Sequence, residues 1–220
     1  MKKLFYLFLF ISLFGYSQTQ ITDANFQEAI NTCLTTNPVD GLCSDNEYGA
    51  MPDWDVSDVK DMSNAFEDKS NFNGDISSWD VSSVTNMSWM FSTDSFNQDI
   101  SSWDVSNVIN ATGLFHGTDF NQDISSWNVE SMTDMSNMFR DTPFNGDISS
   151  WDVSNVTNMS GMFFNSSFNQ DISGWCVTNI SSEPESFSIN SPLSESNKPV
   201  WGSCPGNNTI TPITDSNIHE

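Results

Sequence analysis

Five aspartates, Asp75, Asp99, Asp123, Asp147 and Asp171, stand 24 residues apart, and each is followed two positions on by a serine: Ser77, Ser101, Ser125, Ser149 and Ser173. Carboxylates and hydroxyls recurring in this way suit three kinds of chemistry. Neighbouring carboxylates can share a calcium ion. Paired carboxylates can act as acid and base on a glycosidic bond. A row of Asp and Ser side chains also offers hydrogen bonds to an extracellular protein or glycan, and these ten residues are the candidate ligand-binding set. Catalysis demands one irregular constellation with divergent pKa values. These carboxylates are uniform, so no enzyme is expected and no catalytic residue is assigned. Glycine-rich calcium repeats are absent, so no metal ligand and no cofactor is assigned; Ca²⁺ between neighbouring carboxylates stays open beside a solvated, hydrogen-bonded ladder.

A second acidic column, Asp55, Asp80, Asp104 and Asp152, has Asn128 in its fourth place. Free exchange of Asp for Asn points to an acceptor oxygen at a helix N-terminus rather than to a charge. Six tryptophans, Trp54, Trp79, Trp103, Trp127, Trp151 and Trp175, keep the same period. They either form a row of exposed indoles for sugar rings or fold into the interior, according to where the preceding strand ends. Trp89, Ile109, Gly113, His116, Glu130 and Arg140 break the repeat. They read as surface drift, with His116 and Arg140 as the alternative marks of a ligand.

The element that must position these columns is a unit of the form Trp-Asp-Val-Ser-x-Val-x-x-Met-x-x-Met-Phe, followed by Phe-Asn-x-Asp-Ile-Ser-Ser. A fixed period of this size means stacked coils. Val153, Val156, Met159, Met162 and Phe163 recur every three or four positions, the spacing of a short helix or 3₁₀ turn, with Asp152 or Ser154 as its cap. Phe168 to Ser173 is the best strand candidate, with Asp171 and Ser173 on one face and Ile172 on the other. The expected fold is therefore an α/β repeat solenoid: a parallel β sheet with one short helix or 3₁₀ turn per coil of about 24 residues, capped at both ends. Eight apolar positions per coil fill a two-layer interior.

The organisation read from the sequence is a signal peptide over 1–17, a helical cap over 18–50, five to six repeats over 51–180, a second cap over 181–205 and a disordered tail over 206–220. Lys2 and Lys3 followed by the apolar run Leu4 to Phe14 give the signal peptide, too short an apolar run to span a membrane. Phe26, Ala29, Ile30, Cys33 and Leu34 have helical spacing, with Thr22 or Asp23 as cap. Once the leader is removed, only Lys60, Lys69, Arg140 and Lys198 remain basic against 29 acidic residues. That balance excludes nucleic acid and anionic lipid as partners. Cys33, Cys43, Cys176 and Cys204 allow three pairings, and separations of 10 and 28 residues favour one local disulfide at each end.

The Trp-Asp-Val-Ser-x-Val-x-x-Met-x-x-Met-Phe and Phe-Asn-x-Asp-Ile-Ser-x-Trp unit resembles the bacterial surface leucine-rich repeats called BspA-like. The resemblance covers roughly residues 21–205, including Trp175-Cys176-Val177 and the closing run Lys198 to Pro205. It implies a leucine-rich-repeat-like fold and a secreted or cell-surface protein of adhesion or matrix contact. Leucine is nearly absent from the columns, its place taken by Phe, Ile, Val, Met and Trp. The expected function is a binding or adhesion module acting through the polar sheet face. The alternatives are a passive spacer of a larger envelope protein and a polysaccharide-degrading enzyme.

Overall fold

The computed structural model describes residues 18–206. The signal peptide read over 1–17, and nearly all of the tail read over 206–220, lie outside the described residues. The chain winds into coils that repeat every 24 residues and stack on one another. The eight apolar positions of a coil, such as Phe144, Ile148, Trp151, Val153, Val156, Met159, Met162 and Phe163, are all buried. Phe139 stacks on both Phe144 and Phe163 of the next coil, at 4.1 and 5.9 Å between centroids. The core is thus continuous along the stack, and no coil could bury its apolar side alone.

The expected parallel sheet is absent, and so is the helix in each coil. Among the described residues the coils carry no strand, only four isolated parallel bridges, Asp61↔Asn86, Asn86↔Asn110, Asn110↔Asp134 and Asp134↔Asn158. The bridges lie in the segment read as helical, not in the segment read as strand. Val56, Val59, Met62 and Ala65 point inward every third residue, a spacing that a chain of successive tight turns satisfies as well as a helix does. Left-handed backbone at Asn64, Asn137, Gly113 and Gly161 ends each attempt at a helix or a strand. Alternate N–H groups there reach the next coil instead: Met135 donates to Asn158, Asn137 to Ser160, Phe139 to Met162 and Asp141 to Phe164, at 2.9–3.0 Å.

In the segment read as strand the coils are joined differently. Phe72, Phe96, Phe120 and Phe144 stack one on the next at 6.1–6.3 Å between ring centroids, but no backbone hydrogen bond joins one of these coils to the next there. Asparagine side chains make the connection. The N–H groups of Asn97, Asn121, Asn145 and Asn169 each donate to the Oδ1 of the asparagine one coil earlier, all at 2.9 Å. Gln98, Gln122 and Gln170 donate to the same asparagines' backbone carbonyls. A strand was expected around Ile172; a polar side-chain ladder stands in its place.

Both ends are covered. Helix α1 (Phe26–Thr36) buries Phe26, Ala29, Ile30, Cys33 and Leu34, and Phe26 meets Trp79 edge-on at 5.8 Å. Its N-cap is Asn25, not Thr22 or Asp23. Asp23 instead turns towards the first coil, where its Oδ1 accepts the N–H groups of Lys60 and Asp61 at 2.7 and 3.0 Å. In the next coil the equivalent N–H groups of Thr85 and Asn86 share the Lys60 carbonyl. Asp23 therefore replaces the carbonyl of a coil that is not there, satisfying donors that a bare end would leave unpaired.

At the far end Gly161, Phe163 and Asn165 donate to Glu185, Phe187 and Ile189, and Phe187 is covered edge-on by Trp201. Lys198 joins Glu183 and Glu195 at 2.7 and 2.6 Å. The disulfides are Cys33–Cys43 and Cys176–Cys204. The second closes a loop of 28 residues around an irregular lid. Replacing Cys176 and Cys204 together by serine is expected to lower stability by about 3 kcal/mol. A urea midpoint unchanged from the oxidised protein would contradict that role. No helix among the described residues is long and apolar enough to cross a membrane.

Candidate functional site

The exposed row Asp75, Asp99, Asp123, Asp147 and Asp171 follows directly from the turn each residue starts. Each Oδ1 accepts the backbone N–H two residues on, from Ser77, Ser101, Ser125, Ser149 and Ser173, at 2.9–3.0 Å. This is the Asx turn, in which the side chain mimics a backbone carbonyl. Hydrogen bonds from the serine N–H and hydroxyl hold all five carboxyls below the usual aspartate range. They are therefore ionised at neutral pH, and each keeps its second oxygen free of the turn. Asp75, Ser77, Gln98, Asp99, Ser101 and Ser102 line a shallow open depression between two coils. Among the described residues no three His, Cys, Asp or Glu side chains converge as metal ligands.

The second acidic column starts turns as well. Asp55, Asp80, Asp104 and Asp152 accept N–H bonds from Ser57, Ser82, Ser106 and Ser154, and Asn128 accepts from Glu130. An acceptor oxygen is what the position requires, but it caps a turn and not the helix expected at Asp152 or Ser154. The tryptophan column is interior, which removes the reading of exposed indoles. Trp103, Trp127, Trp151 and Trp175 are buried, and their Nε1 groups donate to the carbonyls of Ile76, Ile100, Ile124 and Ile148 at 3.1–3.2 Å. Each indole thus ties its own coil to the one before.

A further polar row went unassigned in the sequence: Asp61, Asn86, Asn110, Asp134 and Asn158 at the bridges. Asn86 donates to Asp61 and Asn158 to Asp134, both at 3.0 Å. Their signal was the same 24-residue recurrence that marks the Asp and Trp columns.

Four of the six residues that break the repeat converge. Trp89 lies half-buried in left-handed backbone, φ 57°, where the other coils place Asn64, Gly113, Asn137 and Gly161. A side chain at Gly113 would collide with the Trp89 ring, its Cβ falling 2.4 Å from Cε3. His116 meets the same indole edge-on at 5.3 Å. Its Nδ1 lies 3.2 Å from Ser92 Oγ, and its Nε2 lies 3.6 Å from Asp141 Oδ2. Arg140 donates through Nε to Asp141 at 3.2 Å and stacks its guanidinium on Phe164 at 4.2 Å. Burial pushes the His116 pKa down, against the pull of Asp141, so the imidazole is neutral at pH 7. Ile109 is exposed, and Glu130 serves the Asn128 turn; neither joins this group.

A run of serine, imidazole and carboxylate has the outline of a hydrolytic triad. Ser92, however, is only 3% exposed, so its hydroxyl is closed to a polymeric substrate. A different anomaly lies two residues on. Asp94 is 5% exposed, stands in the column of Thr118, Thr142 and Ser166, and leaves Oδ2 buried without a partner. Desolvation pushes its pKa up to about 8, against the hydrogen bond from the Phe96 N–H.

The family described as "Mycoplasma protein of unknown function, DUF285" matches residues 41–143 and again 113–199. The chain belongs to the DUF285 family. The two matched stretches begin three repeat units apart, as they must when one pattern can be laid on a periodic chain in more than one register. No curated protein and no solved structure matches this DUF285 chain.

Proposed function

We propose that this chain is a secreted or cell-surface binding module that recognises an extracellular protein or glycan through the face carrying Asp75, Asp99, Asp123, Asp147 and Asp171. The observation that carries the reading is the division of labour within each coil. The core and the ladders are built by Phe, Ile, Trp, Val, Met and Asn, while every repeat presents, at the position of Asp99 and Asp123, an ionised, exposed carboxylate held in a fixed turn with an oxygen to spare; the second acidic column lacks one where Asn128 stands. Rigid, evenly spaced acceptors of this kind suit a ligand that is itself extended and repetitive. Two disulfides favour an oxidising, extracellular setting, and the resemblance of the repeat to BspA-like surface proteins points the same way. An enzyme is disfavoured by the uniformity of the carboxylates and by the burial of Ser92.

Binding of the chain from residue 18 onward to arrays of matrix proteins and glycans tests this. A saturable signal is expected, weakened at least tenfold in a variant carrying Asp99→Asn, Asp123→Asn and Asp147→Asn. Asparagine keeps the turn, as Asn128 does in its own column, so the variant folds and loses only charge. Silence across the arrays, or binding indifferent to the three changes, would count against the proposal. A passive spacer is the second reading, favoured by the use of every Oδ1 inside its own turn.

A further inference from the structure

We propose that Trp89, His116, Arg140 and Asp141 form a second, singular binding site, and that its ligand is a neutral pyranose unit of an oligosaccharide. The residues belong to three successive coils, and Ser92, His116, Arg140 and Phe164 occupy one column of the repeat. That column is variable throughout, with Glu67 as its first member, whereas the left-handed column holds Asn or Gly in every coil but the one with Trp89.

The departure is unfavourable for folding. A bulky residue in left-handed backbone is strained, whereas Asn and Gly tolerate that conformation. Strain of this kind concentrates at functional sites. Gly113 then has to lack a side chain for the indole to lie where it does. The result is a partly exposed aromatic surface beside polar groups of both kinds. Arg140 supplies donors beyond those given to Asp141 and Asn137. Asp141 supplies acceptor oxygens, and His116 is held by Ser92 on one side and Asp141 on the other.

Aromatic surface with a few fixed polar groups is how proteins hold small polar rings. A pyranose presents C–H bonds to an indole and hydroxyls to the rim. Charge selects among sugars. The surrounding chain has 29 acidic residues and repels uronic or sialic acids, while at the site itself the Arg140 and Asp141 charges cancel and leave no unpaired carboxylate for the ammonium of an amino sugar. A neutral hexose matches both constraints. This site shares no residue with the Asp75–Asp171 row, so the two assignments stand or fall separately.

The test follows the indole N–H signal of Trp89 by NMR, assigned from its loss in Trp89→Asn, during titration with cellohexaose, maltohexaose and mannohexaose. Oligogalacturonate and chitosan hexamer are the charged comparisons. A saturable shift with at least one neutral hexamer, and none with either charged one, is expected. Trp89→Asn restores the residue found at positions 64 and 137, so it should keep the rest of the native spectrum; its binding, read with that of the parent by isothermal titration calorimetry, should be at least tenfold weaker, and that of Arg140→Gln severalfold weaker. The proposal is overturned if no neutral hexamer moves the signal, if a charged hexamer moves it equally, or if binding survives Trp89→Asn.

Discussion

Replacing Trp127 by alanine is expected to destabilise the protein by about 3–5 kcal/mol, the range for removing a large buried aromatic. The side chain is 4% exposed, so its full volume becomes a cavity that the neighbouring coils cannot fill. Its Nε1 donates to the Ile100 carbonyl at 3.2 Å, and without it that buried acceptor is left unpaired, at about 1–3 kcal/mol. The ring also packs on Phe115 at 6.1 Å. The damage therefore crosses the boundary between coils instead of staying in one. Since a domain has about 5–15 kcal/mol of total stability, the loss removes a large share of it. Trp127→Phe keeps the apolar filling and loses the indole bond, and should fall between the two. Urea denaturation of the oxidised protein reads this directly; a midpoint for Trp127→Ala within error of wild type would show that the indole does not join the coils.

The second large effect is a dependence on pH set by Asp94. Its folded-state pKa, about 8, lies above the roughly 3.9 of an aspartate in an unfolded chain. The folded protein thus retains a proton that the unfolded chain releases. The stabilisation is complete below about pH 4 and is lost as pH rises through about 8, at up to about 1.4 kcal/mol per pH unit between those limits.

The hydroxyls at the equivalent positions explain the preference for the acid form. Thr118 donates to the Phe115 carbonyl and accepts from the Phe120 N–H, at 3.0 and 3.2 Å. A protonated Asp94 can do both, whereas an ionised one can only accept. Asp94→Thr is therefore expected to raise the urea midpoint clearly at pH 8 and little at pH 4. The slope between them should flatten towards that of the exposed carboxylates, which act in the opposite sense because their pKa values are lowered. An unchanged pH profile in Asp94→Thr would place the titration elsewhere.

The periodic part of the molecule was legible because each coil must fit a near copy of itself. The eight apolar columns and the stacking followed from recurrence, and the two local disulfides from the short separations within each cysteine pair. Secondary structure did not. Inward residues at every third position, as in Val56, Val59 and Met62, satisfy a helix face and a succession of turns equally, and only the left-handed backbone at Asn64 and its equivalents decides between them. The segment around Ile172 alternates as a strand does, but there asparagine side chains take the acceptor role that backbone carbonyls would have in a sheet. Asp23 could not be placed from its position before a helix, because its partners, Lys60 and Asp61, are 37 and 38 residues away. Trp89, Gly113, His116 and Arg140 stood out singly as irregular; laying them in the 24-residue register is what brings them together.

Register is the claim on which the fold, the ladders and both sites rest: residue i of one coil supports residue i + 24 of the next. Deleting residues 104–127 removes one whole coil and joins Trp103 to Asn128 in phase, while deleting 104–115 removes half a coil and breaks the phase. Urea denaturation followed by tryptophan near-UV circular dichroism should show a cooperative transition for the first, with a lower midpoint, and no native signal for the second. Two deletions that behave alike, both folded or both unfolded, would contradict the account.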